Sequence, residues 1–282
     1  KRLNMACQED QESLTVCSQQ IFELLKLNYE DKDVQKQREF VENIVDATSG
    51  KIGQLYPMFK THSKLPKGSF FQETKIDEPN EFDFLNPLAF SENQGIRTEL
   101  YEGAFKLPGV KDVYIRRELK EKLSTPWRKH DLLKIDKYGG IDVKLDSYDD
   151  LLVPIHKAIS EALTELHKEG RLVYKGICHL KRMSKELLKE GEVDPRTLKR
   201  NEIMLDSNDL GPCITMVVGG PLCVTDFDMT FCIEDHRESR TAEEAGRYFV
   251  LPSLTRNWIP THYMPGHKEL DEHHRKILMI LK

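Results

Sequence analysis

Two carboxylates one residue apart form the first candidate site in this sequence. Glu81 and Asp83 flank Phe82 within the stretch KGSFFQETKIDEPNEFDFL. Side chains two residues apart on a β-strand point to the same face, so the two acids converge while Phe82 turns into the core. Two like charges side by side are unfavourable unless something positive lies between them. A divalent cation is the expected partner, because Mg²⁺ prefers carboxylate oxygens and substrate phosphates.

A Gly-Ser pair and a later acidic strand supply the other parts of a phosphate-handling site. At Gly68-Ser69, free backbone N–H groups beside a hydroxyl can cradle a phosphate. Two metals about 3.5 to 4 Å apart, the spacing used for in-line phosphoryl transfer, require a third carboxylate. The segment VTDFDMTFCIE offers Asp226 and Asp228 on one face, and we favour Asp228 because it directly precedes the alternating apolar run. The pattern predicts two-metal nucleotidyl transfer; the alternative is an ordinary surface strand that carries two acids.

The composition sets limits on location and partners. The 282 residues are 39% hydrophobic and 32% charged, which predicts a soluble protein with one large domain or two interlocked lobes. The formal net charge of −5 gives no bulk attraction to nucleic acid or to an anionic membrane, so such binding would need a local basic patch. The sequence offers no run of about 18 apolar residues and no signal-peptide stretch, so no membrane span is expected. With no CxxC pair, we expect a cytoplasmic location, with the nucleus as the alternative.

The hydrophobic periodicity predicts an α+β fold around a mixed sheet. Apolar residues recur at helical spacing from Val34 to Phe59, which predicts one long amphipathic helix that includes Leu55. The Gly-Ser stretch is predicted to be a strand on both sides of its Glu-Pro-Asn turn. A second helix is expected to open with a capping box at 147–150 and to stop at Gly170, and a third begins near Lys268. The other expected strands are IRTELYEG, GIDVKL, RLVYKGI, CITMVV and MTFCIE, and MSKELLKEG is expected to be helical.

Several motifs taken together resemble the cyclic GMP-AMP synthase-like receptors, a family of Mab-type nucleotidyltransferases. Gly-Ser followed by Asn-Glu-Phe-Asp is similar to that family's Gly-Ser strand nearly from end to end. CITMVVGGPLCVTDFDMTFCIE resembles its later pair of strands, and GRYFVLPS resembles the segment that crosses toward its second lobe. The long helix takes the place of the family's spine helix. The resemblance covers roughly residues 34–252.

For the fold, the resemblance implies a nucleotidyltransferase architecture with a mixed β-sheet, a long spine helix and the start of a C-terminal helical lobe. Residues 1–33 would form an N-terminal helix and linker, and residues 34–252 the nucleotidyltransferase core. Residues 253–282 would be the beginning of the helical lobe, which looks incomplete.

For the function, the resemblance implies an innate-immune enzyme that joins ATP, GTP or both into a cyclic dinucleotide of the cyclic GMP-AMP type after sensing double-stranded nucleic acid. Gly68 and Ser69 would hold the triphosphate, and Glu81, Asp83 and Asp228 would bind two Mg²⁺ or Mn²⁺ ions. One metal would activate the attacking ribose hydroxyl and the other would stabilise the leaving pyrophosphate. Asp228 would also help to take the proton from that hydroxyl.

The ligand surface of this family lies along the spine helix, so the cations of that region are the candidate nucleic-acid contacts. They are Lys32, Lys36, Arg38, Lys51 and Lys60. Each lies among acids, which also fits an ordinary solvated helix face. RNA and DNA both stay open as triggers, and a ligand-induced dimer is a further expectation.

The sequence departs from the family in two places near the C-terminus. The zinc-binding histidine and three cysteines of the vertebrate enzyme have no counterpart near His267 or His273-His274, so no zinc is predicted. Trp258 is followed by Ile259-Pro260 where the family has a Trp-Arg-x-Ser-Phe-Ser strand. That change leaves the guanidinium contact to the phosphates unassigned.

Two other functions fit the same residues. Relatives that have lost catalysis serve as nucleotide-binding adaptors or scaffolds and usually lack one or more metal carboxylates, so the intact set here favours an enzyme. A template-independent transferase that adds single nucleotides would share the carboxylates and would yield linear products.

Overall fold

The computed structural model of the chain describes residues 16–17, 19–92, 96–100, 111–116, 118, 142–144, 151–180, 193–207, 213–234, 247–250, 258–262 and 272–281. Its elements are α1 (Lys32–Leu55), β1 (Leu65–Lys67), α2 (Gly68–Phe71), β2 (Glu81–Pro87), β3 (Ile96–Leu100), β4 (Lys111–Arg116), β5 (Asp142–Lys144), α3 (Val153–Lys168), β6 (Val173–Cys178), β7 (Glu202–Asp206), β8 (Cys213–Gly219), β9 (Val224–Glu234), β10 (Arg247–Val250), β11 (Ile259–His262) and α4 (Glu272–Leu281). Short 3₁₀ turns occupy Pro57–Phe59, Ala89–Glu92 and Pro195–Thr197. The fold is mixed α+β, as the sequence predicts.

The main sheet is mixed and runs in the order β1-β2-β9-β8-β7-β6, with β10 paired to β9 and β11 paired to β10. β2 and β9 run parallel, as do β6 and β7, whereas the other pairs in this sheet are antiparallel. A second, antiparallel sheet has the order β3-β4-β5. The parallel pairing of β2 with β9 joins segments that are far apart in sequence, and it creates the candidate site.

Strict alternation along β2 and β9 turns one set of side chains into the core. Each of these is at most 1% exposed: Phe82, Phe84, Phe227, Met229 and Phe231. They share one hydrophobic cluster with the apolar faces of α1 and α3. Burying a side chain of this size stabilises the fold by about 1.5–3 kcal/mol. The helices therefore cover one face of the main sheet, and the acidic residues between these apolar ones lie on the other face.

The long helix begins and ends where its local chemistry dictates. The Asp31 side chain accepts hydrogen bonds from the backbone N–H groups of Asp33 and Val34, at 2.7 and 3.3 Å, and so caps the first turn of α1. The helix ends at Leu55 rather than Phe59, because Pro57 lacks the N–H that another helical turn would need. Leu55, expected on the apolar face, is 37% exposed.

The predicted strand on the Gly-Ser side of the Glu-Pro-Asn turn is wrong. Gly68 adopts a φ of +83°, which turns the chain out of β1 and into the short helix α2. Phe70 is then buried against the ring of Phe82, with 4.3 Å between ring centroids. Ile76 makes only an isolated bridge, with Lys26. Packing of adjacent aromatic side chains, which no period-2 pattern encodes, decides this local structure.

The remaining element predictions agree with the structure wherever the residues are described. β3, β5, β6, β8 and β9 lie at the predicted strands, and Gly170, with a φ of +70°, follows the C-terminal end of α3. α4 spans Glu272–Leu281, and its predicted start near Lys268 lies outside the described residues. The predicted capping box at 147–150 and the predicted helix MSKELLKEG lie outside the described residues, as does His267.

Candidate active site

The parallel register of β2 and β9 places four carboxylates on the face of the main sheet that lies opposite α1 and α3. Glu81 lies beside Asp226, and Asp83 lies beside Asp228. Because each pair occupies one rung of the ladder, Glu81, Asp83 and Asp228, the three predicted acids, share one face. The structure also adds Asp226 to the group. The sequence favoured Asp228 because it precedes the alternating run, but β9 begins at Val224, so both acids lie within the strand.

The Gly-Ser segment packs directly against the second rung. The position that a Cβ atom would take at Gly68 lies 1.7 Å from Asp83 Oδ2, so only glycine allows this approach of the backbone to the carboxylate. Lys67, the residue before it, pairs with Asp83 in the β1–β2 register. Within the described part of the chain, no side chain caps the first turn of α2. Thr74 closes the segment instead, through its N–H to the Ser69 carbonyl at 2.8 Å. Gly68, Ser69 and Asp83 therefore form one contiguous surface.

Asp228 is held by neighbours on the adjacent strand β8. The hydroxyl of Thr215, its register partner, donates a hydrogen bond to Asp228 Oδ1 at 2.6 Å. Cys213 lies two residues further along the same face, where burial, and then the charge of Asp228, raises the pKa of its thiol to about 12. Cys213 therefore stays protonated and donates to Asp228 rather than acting as a nucleophile. These two contacts hold the Asp228 side chain in its present rotamer.

The electrostatics of the two rungs are those of a site with too much negative charge. Burial, then the charges of Asp228 and Glu81, raises the pKa of Asp83 from 3.8 to about 6. The same causes, in the same order, raise the pKa of Asp226 to about 6. Lys75 acts in the opposite direction on both acids. A cation placed among these carboxylates would lower both pKa values, because it favours the ionised forms.

Lys75 already neutralises one of the acids. Its Nζ lies 2.6 Å from Glu81 Oε2, and its side chain is only 14% exposed. The backbone of Lys75 is held by Tyr29, whose hydroxyl accepts from the Lys75 N–H at 3.0 Å and donates to the Lys75 carbonyl at 3.3 Å. Burial raises the pKa of Tyr29 to about 12, so this hydroxyl remains a donor. Lys75 was not among the predicted site residues, although its position as the single cation between the Gly-Ser pair and Glu81 is a signal in the sequence.

A cavity of about 550 Å³ adjoins the first rung. Glu81 and Asp226 line it on the acidic side, together with Lys75 and Arg196. Its other walls are Asn80, Leu180, Pro195, Val217 and Val224. Asp226 keeps an exposed edge here, although the cavity walls remove part of its hydration. The size is within the range of about 300–1,000 Å³ of pockets that bind small organic ligands.

The donor set suits a hard divalent cation, but the side chains are not arranged around one. Carboxylate oxygens on adjacent strands are the ligands that Mg²⁺ prefers. Burial, and then repulsion from Asp228 and Glu81, raises the pKa of Asp83. Among the residues described here, no group of three or more His, Cys, Asp or Glu side chains could hold a metal ion as it stands. Glu81 is turned to Lys75, and Asp228 is turned to Thr215. Glu81, Asp83 and Asp228 could be the ligands only after side-chain rotation.

The predicted nucleic-acid contacts of the long helix are largely engaged by acids. Lys36 pairs with Asp33 at 2.8 Å, and Arg38 pairs with Glu42 at 3.0 Å. Lys51 pairs across to Glu169, just after α3, at 2.5 Å. Lys32 and Lys60 are exposed. Surface pairs of this kind exchange readily with other anions because each stabilises by at most about 1 kcal/mol, so nucleic-acid binding here stays a prediction.

Comparison with known families adds no assignment. No protein-family model matches the sequence. None of the helices in the ranges that the structure describes is long and apolar enough to cross a membrane.

Proposed function

We propose that the protein is a nucleotidyltransferase that joins ATP, GTP or both into a cyclic dinucleotide of the cyclic GMP-AMP type. The observation that supports this most strongly is the parallel pairing of β2 with β9, which brings Glu81 and Asp83 to the same face as Asp228. The close approach of Gly68 to Asp83 adds a phosphate-binding turn at the same place. Two of the motifs that resemble cyclic GMP-AMP synthase-like receptors, the Gly-Ser strand and the later pair of strands, therefore meet on one face of the sheet. Under this proposal the mixed sheet and α1 form a nucleotidyltransferase fold.

The chain's own residues divide the work of the proposed reaction. The backbone N–H groups of Gly68 and Ser69 bind the triphosphate of the donor nucleotide at the start of α2. A ribose hydroxyl oxygen of the acceptor then forms a bond to the α-phosphorus, and the bond from that phosphorus to pyrophosphate breaks. Asp228, oriented by Thr215, accepts the hydroxyl proton. The reaction is repeated in the second direction to close the ring.

Glu81, Asp83 and Asp228 are the residues that would hold Mg²⁺ or Mn²⁺ in this proposal. When bound, the metal would make the hydroxyl a better nucleophile and would neutralise the leaving pyrophosphate. Glu81 has to leave Lys75 to become a ligand, which frees the ammonium group of Lys75 beside the cavity. Lys75 would then offer a positive charge to the substrate phosphates.

Double-stranded nucleic acid is the proposed trigger, on the exposed side of α1. The candidate cations are Lys32, Lys36, Arg38, Lys51 and Lys60. Because these residues lie in salt-labile surface pairs or are exposed, such binding would weaken steeply as the salt concentration rises. The location of the proposed enzyme is the cytoplasm or the nucleus.

Incubation of the protein with ATP, GTP and Mg²⁺ or Mn²⁺, with and without double-stranded RNA or DNA, tests the proposal. We expect a cyclic dinucleotide by mass spectrometry, and no product from Asp83→Ala. Leu65→Ala, on the neighbouring strand β1, is a control that leaves the acids intact. Linear products would instead indicate a template-independent transferase. Full activity of Asp83→Ala, or no product under any trigger, would contradict the proposed reaction.

A nucleotide-binding adaptor without turnover is the second candidate. Its supporting observation is the ion pair between Lys75 and Glu81, which occupies one of the proposed metal ligands. Tight binding of ATP or GTP with no product under any trigger would favour the adaptor over the enzyme.

A further inference from the structure

Gln37 occupies an unusual position for an amide side chain. It lies on the face of α1 that packs against the main sheet, and none of its surface is exposed. Burying an amide without hydrogen bonds would lower the stability of the fold by several kcal/mol. The Gln37 amide is therefore expected to be hydrogen-bonded, and its partners show which segments it joins.

The side chain of Gln37 makes three hydrogen bonds, and all of them go to the segment that leads into β9. Its Oε1 accepts from the Leu222 N–H at 3.0 Å, and its Nε2 donates to the Cys223 carbonyl at 3.1 Å. Nε2 also donates to the hydroxyl of Thr225. Gly220 is fitted to this arrangement, because a Cβ atom there would lie 2.3 Å from Gln37 Nε2. A single side chain of α1 thus fixes the whole entry to the strand that carries Asp226 and Asp228.

The network continues from Thr225 to the start of β2. Thr225 is fully buried, and its hydroxyl contacts the Pro79 carbonyl at 3.3 Å. The next residue, Asp226, donates its N–H to the Asn80 carbonyl at 2.9 Å. Glu81 follows Asn80 directly, so the chain of hydrogen bonds reaches both strands one residue before their first carboxylates. We call the pair of side chains Gln37 and Thr225 the Gln37–Thr225 clamp.

The position of this clamp matches the place where the sheet is under electrostatic stress. Four carboxylates lie on the two rungs that follow it, and like charges at neighbouring strand positions are destabilising. Repulsion between Glu81 and Asp226 would push the two strand ends apart. Further along the same pair, from Phe84 to Pro87 on β2, the register continues without acidic side chains. The clamp therefore acts at the end of the ladder that most needs an added constraint.

We propose that the Gln37–Thr225 clamp positions the carboxylates by holding the starts of β2 and β9 together. It also connects α1, the proposed trigger surface, through direct hydrogen bonds to the strands that carry the acids. The chemical meaning of this inference rests on the proposed function, since the acids need a set spacing only if they share a cation. Both residues act through Glu81 and Asp226 and do not touch substrate themselves.

Thr225→Val and Thr225→Ser form the decisive pair of variants. Valine keeps the shape of threonine and removes the hydroxyl, whereas serine keeps the hydroxyl. In the metal-free protein, we expect the Asp226 amide proton to exchange about tenfold faster in Thr225→Val, because its hydrogen bond to Asn80 opens more often. Thr225→Ser should stay within about twofold of the wild-type exchange rate. Equal exchange of the Asp226 amide in Thr225→Val and the wild type overturns the proposal.

Metal dependence separates positioning from a merely structural role. We expect Thr225→Val to raise the Mn²⁺ concentration for half-maximal activity about tenfold, while the rate at saturating Mn²⁺ falls less than about threefold. Val45→Ala, a buried change two turns along α1, destabilises the protein without touching the clamp and should leave the Mn²⁺ dependence unchanged. An equal effect of Val45→Ala on Mn²⁺ dependence and on Asp226 exchange would show that Thr225 acts only through global stability.

Gln37→Met completes the test as a double-mutant cycle with Thr225→Val. Methionine fills a similar volume without hydrogen bonds, so the effects of the two changes on Asp226 exchange should be strongly non-additive. Additive effects would contradict a single clamp. If the wild type makes no product and binds no Mn²⁺, the proposed function fails. The exchange measurements, which need neither metal nor nucleotide, still decide whether the clamp exists.

Discussion

The two faces of the main sheet are built from the same strands and have opposite properties. On β9, Phe227 is fully buried in the core, while its neighbours Asp226 and Asp228 lie on the opposite face. β2 repeats the arrangement with Phe82 between Glu81 and Asp83. We call the face that packs against α1 and α3 the closed face, and the acidic face, which adjoins a cavity of about 550 Å³, the open face.

Under the proposed function, this contrast assigns stability and chemistry to alternating positions of single strands. Apolar burial on the closed face supplies the free energy that holds unfavourable charges in register on the open face. Substitutions one residue apart should therefore affect different properties of the protein. A change on the closed face lowers the free energy of unfolding, and a change on the open face alters chemistry while leaving the fold intact.

The largest expected effect is that of Asp228→Asn on the open face. Removing this carboxylate should lower product formation at least about 10⁴-fold, equal to roughly 5.5 kcal/mol of transition-state stabilisation. The midpoint of urea unfolding should change little, because a surface carboxylate among like charges adds no stability. Asp226→Asn is the matched control on the same strand and face, and it should retain activity within about tenfold. An equal loss in both variants would assign the chemistry to the cluster rather than to Asp228.

Phe227→Ala, between those two acids, should have the complementary effect. Deleting a fully buried phenyl ring costs about 3–5 kcal/mol of unfolding free energy, and we expect about 4 kcal/mol here because the ring has no exposed surface. Urea denaturation measures this loss directly. Activity per folded molecule, assayed at a low temperature where the variant remains folded, should fall less than about tenfold. A stable but inactive Phe227→Ala would break the separation of the two faces.

The sequence predicts the individual strands and helices and the face to which their side chains point. Alternation in MTFCIE and CITMVV is strong enough to place β8 and β9, and spacing alone puts Glu81 and Asp83 on one face. The helical period from Val34 to Ile52 likewise predicts α1.

The pairing of strands that are distant in sequence is not encoded in any short stretch of residues. The pairing of β2 with β9 in parallel depends on the packing of distant segments, and no local pattern predicts it. The grouping of Asp228 with Glu81 and Asp83 was expected instead from the need of a two-metal site for a third carboxylate, and from the resemblance. Gln37 was also missed, although a signal existed. It lies in the apolar stripe of α1 formed by Val34, Val41 and Ile44, and a polar residue in such a stripe indicates a buried hydrogen-bonded side chain.

Gly68→Ala should lower both the free energy of unfolding and the activity, each by an intermediate amount. Alanine at a φ of +83° costs about 1–2 kcal/mol in strain, and its Cβ would displace the Asp83 carboxylate. We expect a modest loss of unfolding free energy and a loss of activity of at least about tenfold. Gly50→Ala is the control, because a Cβ there meets no atom within 4 Å and lies in the middle of α1, where alanine is favoured. Normal activity of Gly68→Ala would mean that this contact does not position Asp83.

The smallest expected effect is a pH-dependent gain in stability from Asp83→Asn. The pKa of Asp83 is about 6 in the folded protein and 3.8 in the reference state, so the folded state binds more protons between these values. The unfolding free energy of the wild type should therefore fall as the pH rises from about 4 to about 6, and it stays low above that. Two pKa units correspond to at most about 3 kcal/mol, and partial exposure of the side chain reduces this to about 1 kcal/mol. Asp83→Asn should be more stable than the wild type at pH 7.5 and equal to it at pH 4, as measured by urea denaturation. The same difference at both pH values would place the unfavourable charge elsewhere on the open face.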